Sequence, residues 1–558
     1  MDQEYPRQNP SAGFWTKSIW ARRLRLPLLF LLFFGLLATR RWAQLAFPQV
    51  WDDESTLIMT AARGGWGQLF HPINGYLVVL PRAIVRISMA VSFYHYPLVA
   101  TLLTWLFTAS VGVAIATAPT HLKGKVFCAV AAFAIPTDPE VFGVALYTLW
   151  WAAILMFLVA LWDEKQSHPG LRWTFLLAGG LSSPAIVGVL PILYFRAFWY
   201  RAFRLEWAIA LAATLLAAVQ LHFVAAGSAA SLTPMGSLLR NVIPRFCGWF
   251  IFGNISASPW LLWVLGLGVL GLILAWWRSD RRSPGVWILT ALWLSAIALS
   301  VMRVDPGILN PRYAGSRYFF FPYILLGWIL VQAWISASAW WVRTIIAAAA
   351  AGILVNAAPA WSRGHDDLQW EEHVRSGRLF PIYITPTEFA GSRLQTWFIE
   401  EPGPGYARLL RGDWLISARR LDALPTFAYK TMGWWELDNS QREIDLKTEL
   451  GAGARPGTTQ LETGRAIITR PWSGSSPAEI EFSLKRGDRL RYRSGPVSQA
   501  PLMRIVGREE EFIGELPVTP DWAWLEFSNS RLPAEFVLRV RDRGQGLGEW
   551  STVGIPSP

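Results

Sequence analysis

Charge is scarce in this chain. Only 16% of its 558 residues are Asp, Glu, Lys or Arg, against about 25% in an ordinary soluble domain. The apolar residues, 53% of the total, lie in long blocks. Together these features exclude a soluble enzyme, a disordered chain and a fibrous repeat. Cysteine is scarcer still, and two residues in the whole chain exclude a disulfide scaffold and a cysteine-based zinc site. No glycine-rich phosphate loop follows a strand-like run, and no cytoplasmic segment is large enough to bind a nucleotide. Any group transfer must then draw on a donor already in the membrane. Tryptophan, by contrast, is abundant, with 33 residues.

Acidic residues are missing from one part of the chain in particular. Residues 1–360 hold 26 Lys/Arg and only 12 Asp/Glu, whereas residues 361–558 hold 25 and 27. The net charge of +12 therefore comes from the hydrophobic part. Cytoplasmic loops of membrane proteins collect Lys and Arg, so this excess reads as topology and no nucleic-acid partner is expected.

A membrane span needs roughly 20 mostly apolar residues. Charge-free candidates are Pro97–Ala118, Val141–Trp162, Trp207–His222, Pro259–Trp277, Val286–Met302, Tyr318–Val342 and Thr344–Trp361, the last two separated only by Arg343. Leu26–Ala46 is a further span whose Arg40 and Arg41 are expected to snorkel to the far interface. Val126–Pro136 is short. Trp173–Phe195 is split by Ser182-Ser183-Pro184 and flanked by Arg172 and Arg196, which suggests a helical pair that turns and returns. Asn74–Phe93, interrupted by Arg82 and Arg86, reads as an interfacial or re-entrant helix. The leading stretch has a long apolar run and no small-residue cleavage site, so it is not a cleavable signal peptide.

Arg22, Arg23 and Arg25 precede the first span and place the N-terminus in the cytoplasm. With about 11 crossings, Lys123/Lys125, Lys165/Arg172, Arg196/Arg201/Arg204 and Arg278/Arg281/Arg282 all fall inside, and the C-terminal part falls outside. The resulting expectation is a polytopic α-helical membrane protein of a bacterial-type inner membrane. Residues 1–25 form a cytoplasmic segment. Residues 26–361 form the membrane domain, with an acidic first external loop at 51–96. Residues 362–391 are a connector. Residues 392–558 form a β-rich, sandwich-like extracytoplasmic domain, since Glu479–Leu484 alternates in polarity, Lys485-Arg486-Gly487-Asp488 supplies a turn and Leu490–Arg493 resumes, as in a hairpin.

With so few acids in the first 360 residues, each one can be placed. Asp2, Glu4, Asp163, Glu164, Glu206 and Asp280 fall in cytoplasmic segments and read as solvated loop charge. Six fall outside: Asp52, Asp53, Glu54, Asp138, Glu140 and Asp305. Three consecutive carboxylates in Asp52-Asp53-Glu54 repel one another near a low-dielectric surface. They suit the first turn of a helix that begins near Ser55. They equally suit a general base or a site for a divalent cation, magnesium or manganese, on Asp52 and Asp53, and both roles can hold together. Thr137-Asp138-Pro139-Glu140 opens a later span on the same face and could be only a helix start. Arg312 and Arg317, before Tyr318, lie outside against the positive-inside trend. Their guanidinium forks match phosphate oxygens, either of lipid headgroups or of a lipid-linked substrate. His71, His95 and His222 are scattered and read as structural.

This layout resembles the GT-C class of membrane glycosyltransferases, including the Rgt-like, protein O-mannosyltransferase and aminoarabinose-transferase families. The resemblance covers about residues 20–360 and rests on an order of features. First comes the acidic Asp52-Asp53-Glu54. An amphipathic external stretch, Ser55–Phe70, follows. Next is His71-Pro72-Ile73-Asn74-Gly75-Tyr76, which enters the membrane, and then Asp138 opens a later span. The triplet departs from the simple acidic pair of those families. The resemblance implies transfer of a sugar from a polyprenyl-phosphate donor to an extracytoplasmic glycan, lipid or protein. Asp53 or Asp52 would act as the base or hold the metal. Asp138, Glu140, Asn74 and Tyr76 would line the donor and acceptor pocket, and Arg312, Arg317 and Tyr318 would meet the lipid phosphate. The competing readings are a flippase or transporter and an export-assembly subunit for lipid-linked polysaccharide. Transporters keep ionisable groups at mid-membrane, and the clear spans here lack them. For a mere anchor, one crossing would suffice.

Overall fold

The structure is a computed structural model. It describes residues 19–51, 54, 57–58, 60–61, 64–73, 75–137, 139–165, 168–226, 242–256, 258–303, 309, 311, 316–362, 370–371 and 374. Beyond these it describes Trp414, Leu415 and the strands and tight turns between 379 and 556.

Among the described residues, seven helices are long and apolar enough to cross a membrane: Leu24–Ala46, Tyr96–Thr117, Arg204–Val224, Pro259–Asp280, Pro284–Met302, Ser316–Ser336 and Trp340–Ala360. The shortfall against about eleven crossings lies between the second and third of these. There the chain forms four shorter helices, Lys125–Phe133 (α4), Thr148–Ala160 (α5), Pro169–Gly180 (α6) and Ile186–Trp199 (α7). Val141–Trp162, expected as one span, is helical only over α5. Its first residues form the short turn Pro139–Phe142 and a loop that runs to Tyr147. The break at Ser182-Ser183-Pro184 is present, and the backbone turns between α6 and α7 at Leu181–Ala185. The last two spans separate at Ala337–Ala339 instead of at Arg343, whose Nε donates back to the Ala337 carbonyl from inside the final helix.

Contacts sort the helix ends into two sets. At one end Lys123 pairs with Asp280 at 2.8 Å, and Gln332 bonds both the amide and the carbonyl of Lys123. That end also gathers the termini of α5, α6 and α7. At the other end the helix Ile19–Ala46 (α1) finishes, the helix Tyr96–Thr117 (α3) begins, and the outer helix Val79–Val91 (α2) lies between them in sequence. Of the acids expected outside, the described Glu54 and Glu140 fall at this second end.

The core is built on α5 and on Phe320–Ser336. Both are apolar all round and almost wholly buried, as expected of helices enclosed by neighbours. Trp150, Trp151, Phe157, Phe320 and Phe321 interlock at centroid distances of 4.8–5.2 Å for the closest pairs.

Two expectations about charge fail. Arg40 and Arg41 do not snorkel, and both are buried. Arg40 donates to the carbonyls of Phe133, Ile135 and Thr137 while it lies 3.8 Å over the Phe142 ring. The frayed carbonyls after α4 supply the acceptors that water would otherwise provide. Glu206 is not solvated loop charge either. It is 2% exposed and takes bonds of 2.7–3.2 Å from Arg172 and Arg196, which are themselves buried.

Beyond Trp361 the chain returns to the bundle. Trp370 and Val374 are buried against Phe93 and Tyr96, and the Trp370 indole donates to the Phe93 carbonyl. Val50–Trp51 (β1) pairs in parallel with Leu379–Ile384 (β2), which pairs antiparallel with Gln395–Glu400 (β3). Further strands form two five-stranded sheets. Lys485-Arg486-Gly487-Asp488 makes the expected turn, with Gly487 at φ +97°. It does not close a hairpin, because Glu479–Lys485 pairs with Glu535–Arg541 while Arg489–Ser494 belongs to the other sheet.

Candidate functional site

The site is built where the loop after α1 meets the loop ahead of α5. The described residues from Glu54 to Gly64 are helical, with Leu57, Ile58 and Ala61 buried on one face, and Gly65–Phe70 continues as a tighter turn. Spacing of i, i+3/i+4 gives that face its apolar stripe. It packs with Trp51, Tyr96, Tyr147, Trp370 and Val374 into a second core, separate from that of the bundle.

Glu54 is the only member of the acidic triplet among the described residues. It is 3% exposed, and the Tyr96 hydroxyl donates to its Oε1 at 2.5 Å. Burial pushes its carboxyl up to about 7, against the lowering effect of its bonds to Tyr96 and to the Trp51 backbone. A carboxyl in that range exchanges a proton near neutral pH. Asp52 and Asp53 lie outside the described residues.

Trp51 and Arg41 tie this loop to the next. The Arg41 guanidinium lies 4.7 Å from the Trp51 ring and donates to Gln44, whose amide also takes the Trp51 indole proton. Gly143 faces Arg41 so closely that a Cβ there would stand 2.9 Å from its Nε. The absence of a side chain at position 143 lets the two loops meet.

On the far side of that contact, Arg317 reaches back from the late loop. Its Nη1 donates to the Tyr147 hydroxyl at 2.5 Å and lies 3.7 Å from Glu140. Its guanidinium is flanked by the Tyr147 and Tyr318 rings at 5.7 and 5.5 Å. The Arg317 side chain is 27% exposed, against 8% for Glu140, so the cation is the accessible partner. Thr137 donates to the Ser316 carbonyl at 3.0 Å and fixes the two loops in register.

Glu140, Arg317 and Tyr318 are thus brought together, and Glu54 shares its core with Tyr147. Tyr76 packs on that core and makes a backbone bridge with Ile73. Asn74, Asp138 and Arg312 lie outside the described residues. Sequence reasoning missed Tyr96, Tyr147 and Arg41. Tyr96 directly precedes the run Pro97–Ala118 and Tyr147 lies within the run Val141–Trp162, both read as uninterrupted spans, and a phenol there gives no signal beyond its type.

No family model matches this chain, and no curated protein sequence does. Among solved structures, it is similar to arabinosyltransferase EmbB from Mycobacterium smegmatis, with a TM-score of 0.33 and 10% sequence identity, over 98% of this chain. The match spans 66% of that protein's length.

Proposed function

We infer that this protein is a membrane glycosyltransferase that moves a sugar from a polyprenyl-phosphate donor to an extracytoplasmic glycan, lipid or protein. The observation that carries the reading is the placement of Arg317. A partly exposed guanidinium from the late loop stands against Glu140 and Tyr147, at the same end as Glu54 and Trp51. A phosphate-binding fork beside carboxylates is what transfer from a sugar phosphate needs.

The steps follow. The donor enters laterally from the lipid, and Arg317 and Arg312 take its phosphate. Asp53, or Asp52, accepts the proton of an acceptor hydroxyl. The hydroxyl oxygen bonds to the anomeric carbon, and the carbon–oxygen bond to phosphate breaks. The electron pair leaves with the polyprenyl phosphate, whose charge the arginines stabilise. A magnesium or manganese ion held by Asp52 and Asp53 would share that task. Glu54, bonded to Tyr96, stands outside such a cation set. The strands beyond residue 392 then form an extracytoplasmic accessory domain.

The test uses purified full-length protein in detergent with a polyprenyl-phosphate sugar and a soluble acceptor. Release of polyprenyl phosphate, lost in Asp53→Asn and Arg317→Gln, is expected. A wild-type protein that moves the labelled lipid between leaflets of a vesicle while leaving the sugar–phosphate bond intact would mark a flippase instead.

A further inference from the structure

The end of the bundle away from that site holds a second concentration of polar groups. The loop Ala118–His121 and the loop Leu161–Asp163 run side by side, joined by two backbone bonds, and a third closes the first loop on itself. His121 N donates to Leu161 O and Asp163 N to Pro119 O, at 2.9 and 2.8 Å, around an antiparallel bridge between Thr120 and Trp162; Thr120 N also donates to Ala118 O at 2.9 Å. This rigid pairing brings one ligand atom each of His121, Asp163 and Glu164 within 4.8 Å of one another. Ligands on bonds of about 2.1 Å in a tetrahedral site stand about 3.4 Å apart, so small side-chain rotations bring the three onto one ion.

Two further observations point to a ligand there. The Glu164 side chain is 10% exposed and His121 16%, and their Oε2 and Nε2 face each other at 3.3 Å out of hydrogen-bond alignment. Apart from this contact with each other, neither atom has a hydrogen-bond partner, although buried polar atoms ordinarily have one; the Tyr200 hydroxyl, also without one, is the other polar group beside Glu164. Asp163 also lines a cavity of about 380 Å³ that it shares with Lys125, His168 and Thr120. That cavity offers an entry path and room for a water ligand.

We propose that His121, Asp163 and Glu164 form a zinc site at the end of the bundle opposite the transfer site. One imidazole nitrogen and two carboxylates suit zinc, with water in the open position. The Nη groups of Arg172 and the guanidinium of Arg196 bond Glu206 and the carbonyls of Val159 and Ala160 and make no hydrogen bond to the two carboxylates. Lys125 is the competing cation: its Nζ donates to the Ala118 carbonyl, and it feels the charge of Asp163. The ion would clasp the start of the loop after α3 to the end of α5.

The experiment takes full-length protein in detergent, purified without a histidine tag, stripped with EDTA and equilibrated with zinc. Metal is counted by mass spectrometry, and affinity is read by competition with a chromophoric chelator. Wild type is expected to hold about one zinc per chain and to melt at a higher temperature with zinc than without. The isosteric Glu164→Gln, together with His121→Ala, is expected to weaken binding by tenfold or more and to abolish the melting shift. Lys125→Gln should tighten binding, and His168→Ala should leave it unchanged. Zinc in wild type no higher than in a detergent blank overturns the site, as does equal affinity in Glu164→Gln. Displacement of zinc by equimolar magnesium overturns the metal class. If both ligand variants aggregate, wild-type stoichiometry and the zinc-dependent melting shift decide alone.

Discussion

The hydroxyl of Tyr96 donates to the Glu54 carboxyl over 2.5 Å inside a core that solvent does not reach. Tyr96 opens the helix α3, and Glu54 closes the acidic triplet, so the pair fixes the acidic loop to the bundle. Because burial raises the carboxyl to about 7, the folded state binds its proton more tightly than the unfolded chain does. The contribution of Glu54 to stability is then complete below its ordinary value of 4.5 and is lost as pH rises through about 7.

Glu54→Gln removes that dependence. The variant should melt above wild type at pH 8 and close to it at pH 4.5, with a difference on the order of 3 kcal/mol at most. Melting curves over this pH range check it. A wild-type midpoint that rises between pH 6 and 8 relative to the variant would contradict the assignment.

Arg317→Lys keeps the charge but loses the planar fork that holds Tyr147 and faces Glu140. Transfer should fall roughly 100-fold while the protein stays monodisperse. Initial rates with a saturating acceptor decide the point. A rate equal to wild type would remove Arg317 from the reaction.

Gly143→Ala sets a methyl group 2.9 Å from the Nε of a buried arginine. Arg41 is held by Trp51 and Gln44, so its guanidinium must give up part of those contacts to make room. Overpacking of this kind costs about 1–3 kcal/mol, and the strain falls between the two acidic loops. The expected result is a large loss of transfer with helical content unchanged by circular dichroism.

Glu206→Gln leaves Arg172 and Arg196 facing each other in the interior. Breaking a buried pair in this way costs roughly 3–5 kcal/mol, and the variant should melt far below wild type. Replacing Arg172, Arg196 and Glu206 together by Met should recover much of that loss, since an apolar core of similar volume is often as stable. A triple variant no better than Glu206→Gln would show that the triad has a role beyond balancing itself.

The chain displays its long helices openly. Runs such as Pro259–Trp277 are charge-free and end where Arg278 begins, so span and loop can be read from one property. The break at Ser182-Ser183-Pro184 was equally legible, because proline removes a helix donor. Burial of charge was not. Arg40 looks like a snorkelling residue until the carbonyls after Phe133, more than 90 positions away, are placed beside it. Glu206 looks solvated until Arg172 and Arg196 fold back on it. At the site, Glu140 and Arg317 were read as a carboxylate and a cation on one face, and that much depended only on topology. Tyr147 joins them through a loop that hydropathy had assigned to a helix.

The parallel pairing of Val50–Trp51 with Ile382–Tyr383 has a bearing on biogenesis. More than 330 positions separate the two strands, so the ribosome releases the first long before it makes the second. Throughout the insertion of every intervening helix, the edge beside the acidic triplet has no partner. The lip of the site is therefore completed last, after the final helix is already in place.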